Sequence, residues 1–315
     1  MDIRSIHFVP NLRCNLACSY CYVAAHHNAS MPSLDNLKKV CLFLNSIDFM
    51  GLHIEGGEPF INKENVDCIL ETLKPTDETY FITNGMFLNE EYIKGCLAHG
   101  FRKFTISIDG TKSAHETHRG TGFDLIIENI KEIVKFDILT SISTVLSKES
   151  IQELVFLVDL LLPLGIQEFR LGDIVQVGRG AIRNESFILS EFDYKLLLGV
   201  LDTLINRRVK ISLSLNPLRV PHFFEEGIEG LGFEIKKYGC SAAKSQFCID
   251  GFGNIYPCYN ILGIPSKEVI NIFEHNITPE TVLASIANSD IKKKCPYYSE
   301  ENAHFYARYY PSRYC

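Results

Sequence analysis

Three cysteines are crowded into eight residues: Cys14-Asn15-Leu16-Ala17-Cys18-Ser19-Tyr20-Cys21. Thiolates are soft ligands, and three of them can each hold one iron of a four-iron cubane. The fourth iron then stays open to a small molecule, which makes the loop a place for chemistry. The same positions, i, i+4 and i+7, also share one face of a helix, and cysteine packs well in cores. A zinc site is a further reading, although structural zinc usually takes four protein ligands.

A second chemical stretch is Glu55-Gly56-Gly57-Glu58-Pro59. Its glycines let backbone come close to a ligand, and its flanking acids can accept hydrogen bonds from an ammonium group. Taken alone, such a stretch is a surface turn. Asp109 can cap a turn or meet a ligand. Gly178-Arg179-Gly180 reads equally as a ligand-side loop or a flexible link, and His115 and His118 follow a strand end. Five cysteines, Cys240, Cys248, Cys258, Cys295 and Cys315, lie in the last quarter of the chain. The first two of these and Cys258 surround Asp250-Gly251-Phe252-Gly253, a hairpin turn signal. Cys41, Cys68 and Cys96 have apolar helical neighbours and read as core, whereas His26 and His27 read as solvated.

The elements that must position these groups alternate. Strands are expected near residues 5–9, 52–55, 79–83, 103–108, 138–145 and 167–171, with helices near 34–47, 62–73, 90–99, 123–135 and 151–161. A long loop is expected from Asp109 to Gly122. Six strand–helix units joined by right-handed crossovers describe an α/β fold, a partial (β/α)6 barrel of the TIM type. Every motif of the first half falls at the carboxyl end of a strand, where barrel enzymes place their chemistry. A helix near 190–206, a strand at 210–215 and a glycine-bearing loop around 227–232 follow. The expected division is a barrel over residues 1–215, a linker to about 238, and a small hairpin-containing domain over 239–315.

Cys14-x3-Cys18-x2-Cys21, with Tyr20 before its last cysteine, resembles the signature of the radical S-adenosylmethionine (SAM) superfamily. Glu55–Pro59, Thr83-Asn84-Gly85 and Ser107-Ile108-Asp109-Gly110 resemble further motifs of that family, in the same order. The resemblance implies a [4Fe-4S] cluster on Cys14, Cys18 and Cys21 whose open iron chelates SAM. Reductive cleavage of SAM would give a 5′-deoxyadenosyl radical that abstracts hydrogen from a substrate. It places Tyr20 against the adenine and Glu55, Gly56, Gly57 and Glu58 at the SAM amino group. Asn84, Ser107, Asp109 and Ser143 fall at strand ends near the nucleoside.

Cys240-x12-Gly253-x4-Cys258 resembles the opening of the SPASM or twitch extension of that family. The dense cysteine array of a full SPASM domain is missing here, so the resemblance implies one auxiliary [4Fe-4S] cluster on Cys240, Cys258, Cys295 and Cys315. Cys248 could replace a ligand, donate a hydrogen atom to a substrate radical, or pack in the hairpin. Relatives with this extension imply a peptide substrate and a crosslink, thioether or epimerisation, with an electron donor such as flavodoxin or ferredoxin. The first strand begins almost at once, which puts leader recognition in doubt or assigns it to a separate protein. The alternatives are a dehydrogenase or epimerase acting on a sugar or aminocyclitol, and a metal-binding scaffold without catalysis.

Composition bounds these readings. Hydrophobic residues make up 46% of 315, enough for a large core. A net charge of −7 argues against a nucleic-acid surface. No stretch approaches the roughly 18 apolar residues of a membrane span. Eleven cysteines without a secretion signal point to metal in a reducing cytoplasm rather than to disulfides.

Overall fold

Short strands with every second side chain apolar, separated by amphipathic helices, build one sheet. In chain order the elements are β1 Ile3–Val9, α1 Leu34–Leu44, β2 Phe49–Ile54, α2 Lys63–Thr72, β3 Glu78–Thr83, α3 Glu90–Ala98 and β4 Lys103–Ser107. Then come α4 Lys112–Arg119, α5 Phe123–Ile133, β5 Leu139–Val145, α6 Lys148–Leu161, β6 Glu168–Gly172, α7 Glu191–Ile205 and β7 Lys210–Leu215. The chain continues with α8 His222–Gly230, β8 Glu234–Tyr238, β9 Gln246–Asp250, β10 Asn254–Tyr256, β11 Ile270–Asn271 and β12 His304–Tyr309. The computed structural model describes residues 3–182, 185–216, 219–238, 242, 245–262, 270–274, 278, 281 and 304–311.

Strands β1 to β7 are parallel and follow one another in order across the sheet. The strand at 210–215 is therefore a seventh parallel strand beside the six expected. The hairpin β9–β10 extends the β1 edge, with β9 parallel to β1, and β12 pairs antiparallel with both β7 and β8 at the other edge. Both ends of the sheet are thus finished by the last third of the chain.

One face of the sheet packs under the helices. Phe8, Leu52, Phe81, Phe104, Ile142 and Phe169 are fully buried there, each worth about 2–3 kcal/mol of apolar burial. Side-chain caps start the helices: Ser147 and Ser190 each close a capping box ahead of α6 and α7. The opposite face carries polar residues at alternate positions, among them His53, Tyr80, Ser143, Arg170 and Ser212. Parallel strands packed on both faces read as continuous apolar runs. Here the inner face instead curls around a cavity of about 890 Å³, the interior of a partial barrel.

Two expectations for connecting segments are corrected. The segment after β4 holds helix α4, and its buried residues are Ala114, His115, His118 and Arg119. A buried face that is mostly polar gives no apolar periodicity to read. The glycine-bearing segment forms α8 and β8 rather than a loop. A Cβ on Gly227 would meet Leu198 of α7 at 2.8 Å, so the glycine marks close helix packing there.

Candidate active site

The cysteine loop leaves the end of β1 and runs between two glycine walls. On one side, a Cβ on Gly57 would drive into the carbonyl of Arg13, and one on Gly56 would reach the Asn11 carbonyl at 2.6 Å. These close approaches carry hydrogen bonds from Gly57 N–H to Asn11 at 2.9 Å and from Glu58 N–H to Arg13 at 2.8 Å. On the other side, a Cβ on Gly178 would strike the Tyr22 carbonyl, and one on Gly180 would meet that of Tyr20 at 3.0 Å. The Gly178-Arg179-Gly180 segment is therefore a wall of the loop. Arg179 donates to the carbonyls of Cys18 and Ala25, both at 2.8 Å, and its N–H donates to Cys21 at 2.9 Å. Replacing Arg179 by Met should leave the fold in place but loosen the loop by about 2 kcal/mol. Release of cluster iron to a chelator should quicken by about thirtyfold.

The two acids of the glycine motif have separate settings. Glu55 accepts a short hydrogen bond from Nδ1 of His7 and also bonds Tyr22. Burial alone would push its carboxyl up, but His7 and the bond from Tyr22 hold it below the usual carboxylate range. Glu58 is fully buried and accepts from Phe60 N–H at 3.1 Å, Thr83 Oγ1 at 2.7 Å and Asn84 N–H at 2.8 Å. Burial outweighs those bonds and raises its pKa to about 7. A carboxyl raised in the folded state destabilises it as pH rises from about 4.5 to about 7. The wild-type protein should lose stability over that window, and Glu58→Gln should lack this component in pH-dependent denaturant titrations. Glu58→Ala should cost about 3 kcal/mol, because three buried donors lose their acceptor.

Tyr20, Asp109 and Arg119 form the outer support of the loop. The Tyr20 hydroxyl donates a short hydrogen bond to Asp109. Arg119 of α4 donates to the same carboxylate at 2.8 Å and lies over the Tyr20 ring at 5.3 Å. Asp109 also accepts from Val145 N–H at 2.9 Å and is 1% exposed. Asp109 and Glu58 would thus have to exchange partners to meet a ligand directly. Asn84 donates to Asn15 at 2.8 Å and lies 4.0 Å from the Cys14 sulfur. Ser107 and Ser143 are register partners on β4 and β5, and Ser143 lines the cavity. His115 and His118 lie buried in α4; His118 meets Glu149 at 3.1 Å. Cys41 and Cys96 are core residues, and His26 and His27 are exposed.

The barrel interior also holds residues that no sequence motif marks. His7 stacks near Tyr259 at 4.2 Å and His53 at 4.8 Å. Burial, with His7 beside it, pushes the His53 imidazole down to about 3, so it faces the cavity uncharged. Cys248 is the register partner of His7 and is fully buried. Cys258 follows β10, and its sulfur accepts from Asn260 N–H at 3.5 Å and Gln246 at 3.7 Å. Cys240, Cys295 and Cys315 lie outside the described residues.

The donor set of the cysteine loop fits an iron–sulfur cubane. Burial, reinforced by Glu58 and the neighbouring thiols, pushes Cys14 up to about 12. Thiols held this way need a cationic centre to ionise. Among the described residues no three His, Cys, Asp or Glu side chains converge on a point that would hold a single metal ion.

Residues 8–161 match the model of the Radical SAM superfamily. An AdoMet-dependent heme synthase of Methanosarcina barkeri is 25% identical over 309 residues, covering 90% of this chain and 87% of the relative. A cysteine-type anaerobic sulfatase-maturating enzyme of Clostridium novyi is 24% identical over 321 residues, covering 90% of this chain and 83% of the relative. Among solved structures, Streptococcus suis SuiB bound to precursor peptide SuiA shares the fold with a TM-score of 0.69 at 17% identity. That alignment covers 92% of this chain and 66% of SuiB. Among the described residues no helix is long and apolar enough to cross a membrane. The chain carries a radical SAM domain and is a radical SAM enzyme, whose cofactors are a [4Fe-4S] cluster and SAM.

Proposed function

We propose that this chain removes a hydrogen atom from a ribosomally made peptide and so installs a crosslink, a thioether or an inverted stereocentre. The cluster and SAM, when bound, supply the 5′-deoxyadenosyl radical, and the protein's residues bind, orient and shield. One observation carries the peptide reading. The likeness to the sulfatase-maturating relative runs past the barrel into the carboxyl-terminal third, over 90% of the chain. Under this reading Cys14, Cys18 and Cys21 hold the SAM cluster, and Cys240, Cys258, Cys295 and Cys315 hold one auxiliary cluster. A flavodoxin or ferredoxin supplies electrons, and a separate protein reads the leader. Cys248, beside His7, is the thiol that would return a hydrogen atom if the outcome is epimerisation.

A second reading, modification of a small molecule, is favoured by the heme synthase relative, which also matches 90% of the chain. Anaerobically reconstituted protein, supplied with SAM, dithionite and either a candidate precursor peptide or a tetrapyrrole, separates the two. The peptide reading expects 5′-deoxyadenosine together with loss of two hydrogens from the peptide, or deuterium uptake from solvent without mass loss. Turnover of the tetrapyrrole with an unchanged peptide would overturn it.

A further inference from the structure

The barrel interior carries charge that none of the SAM motifs uses. Tyr80 of β3 stands on the inner face with two cations against its ring. Lys103 Nζ lies 5.1 Å and the Arg170 guanidinium 4.6 Å from the ring centroid. Arg170 sits on β6, three strands from β3, so this contact spans the curled sheet. Carboxylates fix both cations from the side. Glu78 accepts from Lys103 at 2.6 Å and from the Tyr80 hydroxyl at 2.7 Å. Glu168 accepts from Arg170 Nε at 3.1 Å and lies 3.0 Å from Nη2.

These pairings do not exhaust the donors. An ammonium has three N–H groups and a guanidinium five, arranged in a fork. Glu168 takes the Nε–Nη2 side of the fork and the Tyr80 hydroxyl bonds Arg170 as well, which together use fewer than the five N–H groups. Lys210 and Arg308 also line this space, giving four cationic side chains against two carboxylates in a chain of net charge −7. On β5 to β7 the wall includes Ser141, Ser143, Gly172, Ser212 and Ser214. Small side chains there leave room for a ligand, where barrels of the closed type fill this layer with branched apolar residues. A cavity of about 890 Å³ is within the range of ligand sites.

We infer that Lys103 and Arg170, held on the Tyr80 ring, form a carboxylate-binding subsite inside the barrel that anchors the substrate. The subsite rests on the peptide reading for its occupant, an acidic side chain or a carboxyl terminus of the peptide. A carboxylate would bind the remaining N–H groups of the guanidinium through N–H···O bonds, with the ammonium beside it. The residues anchor the substrate and take no part in the radical step.

The test measures calorimetric binding to the full-length reconstituted protein with SAM present. The probes are N-acetyl-Ala-Glu-Ala-amide against its glutamine counterpart, and glutarate against glutaramide. The acidic tripeptide should bind about tenfold tighter than the neutral one, and the margin should shrink with added salt. Arg170→Gln should abolish the margin. Glu168→Gln, which frees the guanidinium from its pair, should widen it. A merely structural role for the pair would make both variants weaken binding alike, which would overturn the subsite. Binding of both tripeptides with no preference for the acid would also overturn it while leaving the peptide reading standing. Arg170-dependent binding of glutarate with no binding of either tripeptide would uphold the subsite and remove the peptide as its occupant. Loss of the preference in Arg308→Gln alone, with Arg170→Gln unchanged, would place the anion elsewhere and overturn the assignment.

Discussion

Asp109→Ala should unfold the region around the cysteine loop. The carboxylate is 1% exposed and is bound by Tyr20, by Arg119 and by the Val145 N–H. Removing it strands the Arg119 guanidinium, whose side chain is 9% exposed, without a counter-charge. Breaking one side of a buried pair costs about 3–5 kcal/mol. Tyr20 loses its anchor in the same step, and with it the register of Cys18 and Cys21. Denaturant titration should show the full loss, and SAM cleavage should vanish with it. Asp109→Asn keeps the shape and the acceptor for Val145, and should recover part of the stability. If Asp109→Ala folded normally and lost only SAM affinity, the carboxylate would be a ligand group and its support role would be wrong.

Gly57→Ala should have the second large effect, through space rather than charge. The added methyl group meets the Arg13 carbonyl, and that carbonyl is fixed by the Glu58 N–H. Backbone on both sides cannot swing away as a side chain would. Overpacking of this kind costs about 1–3 kcal/mol, and here the displaced segment leads directly into Cys14. Cluster incorporation should fall by more than half while far-ultraviolet circular dichroism stays close to the wild type. Gly230→Ala, where an added Cβ meets nothing within 4 Å, serves as the control and should leave cluster content unchanged.

The parts of this site that were legible in the sequence are those written locally. Three cysteines in one loop, glycines after a strand and polar residues at successive strand ends sit close together in the chain. The supports were not legible because they act over long separations. Arg179 reaches the carbonyl of Cys18 across 161 positions, and no local pattern marks an arginine as a loop clamp. Helix α4 stayed hidden because its buried face carries His115, His118 and Arg119, which break the apolar stripe that announces a helix. The interior subsite had a signal that strand-by-strand reading passed over. Glu168-Phe169-Arg170-Leu171 alternates polar with apolar residues, where a strand buried on both faces would not. The acids of the glycine motif were read as ligand groups from their position. The structure gives them partners first: His7 and Tyr22 for Glu55, and three donors for Glu58.

The most direct test of the central claim is iron and sulfide content after anaerobic reconstitution, compared between the wild type and a Cys14/Cys18/Cys21 triple alanine variant. A SAM cluster on this loop with one auxiliary cluster predicts about eight irons falling to about four. A fall from about four irons to none would leave the SAM site intact and remove the auxiliary cluster from the proposal. Iron content that does not change in the triple variant would contradict the account, because the loop at the head of the barrel would then hold no cluster.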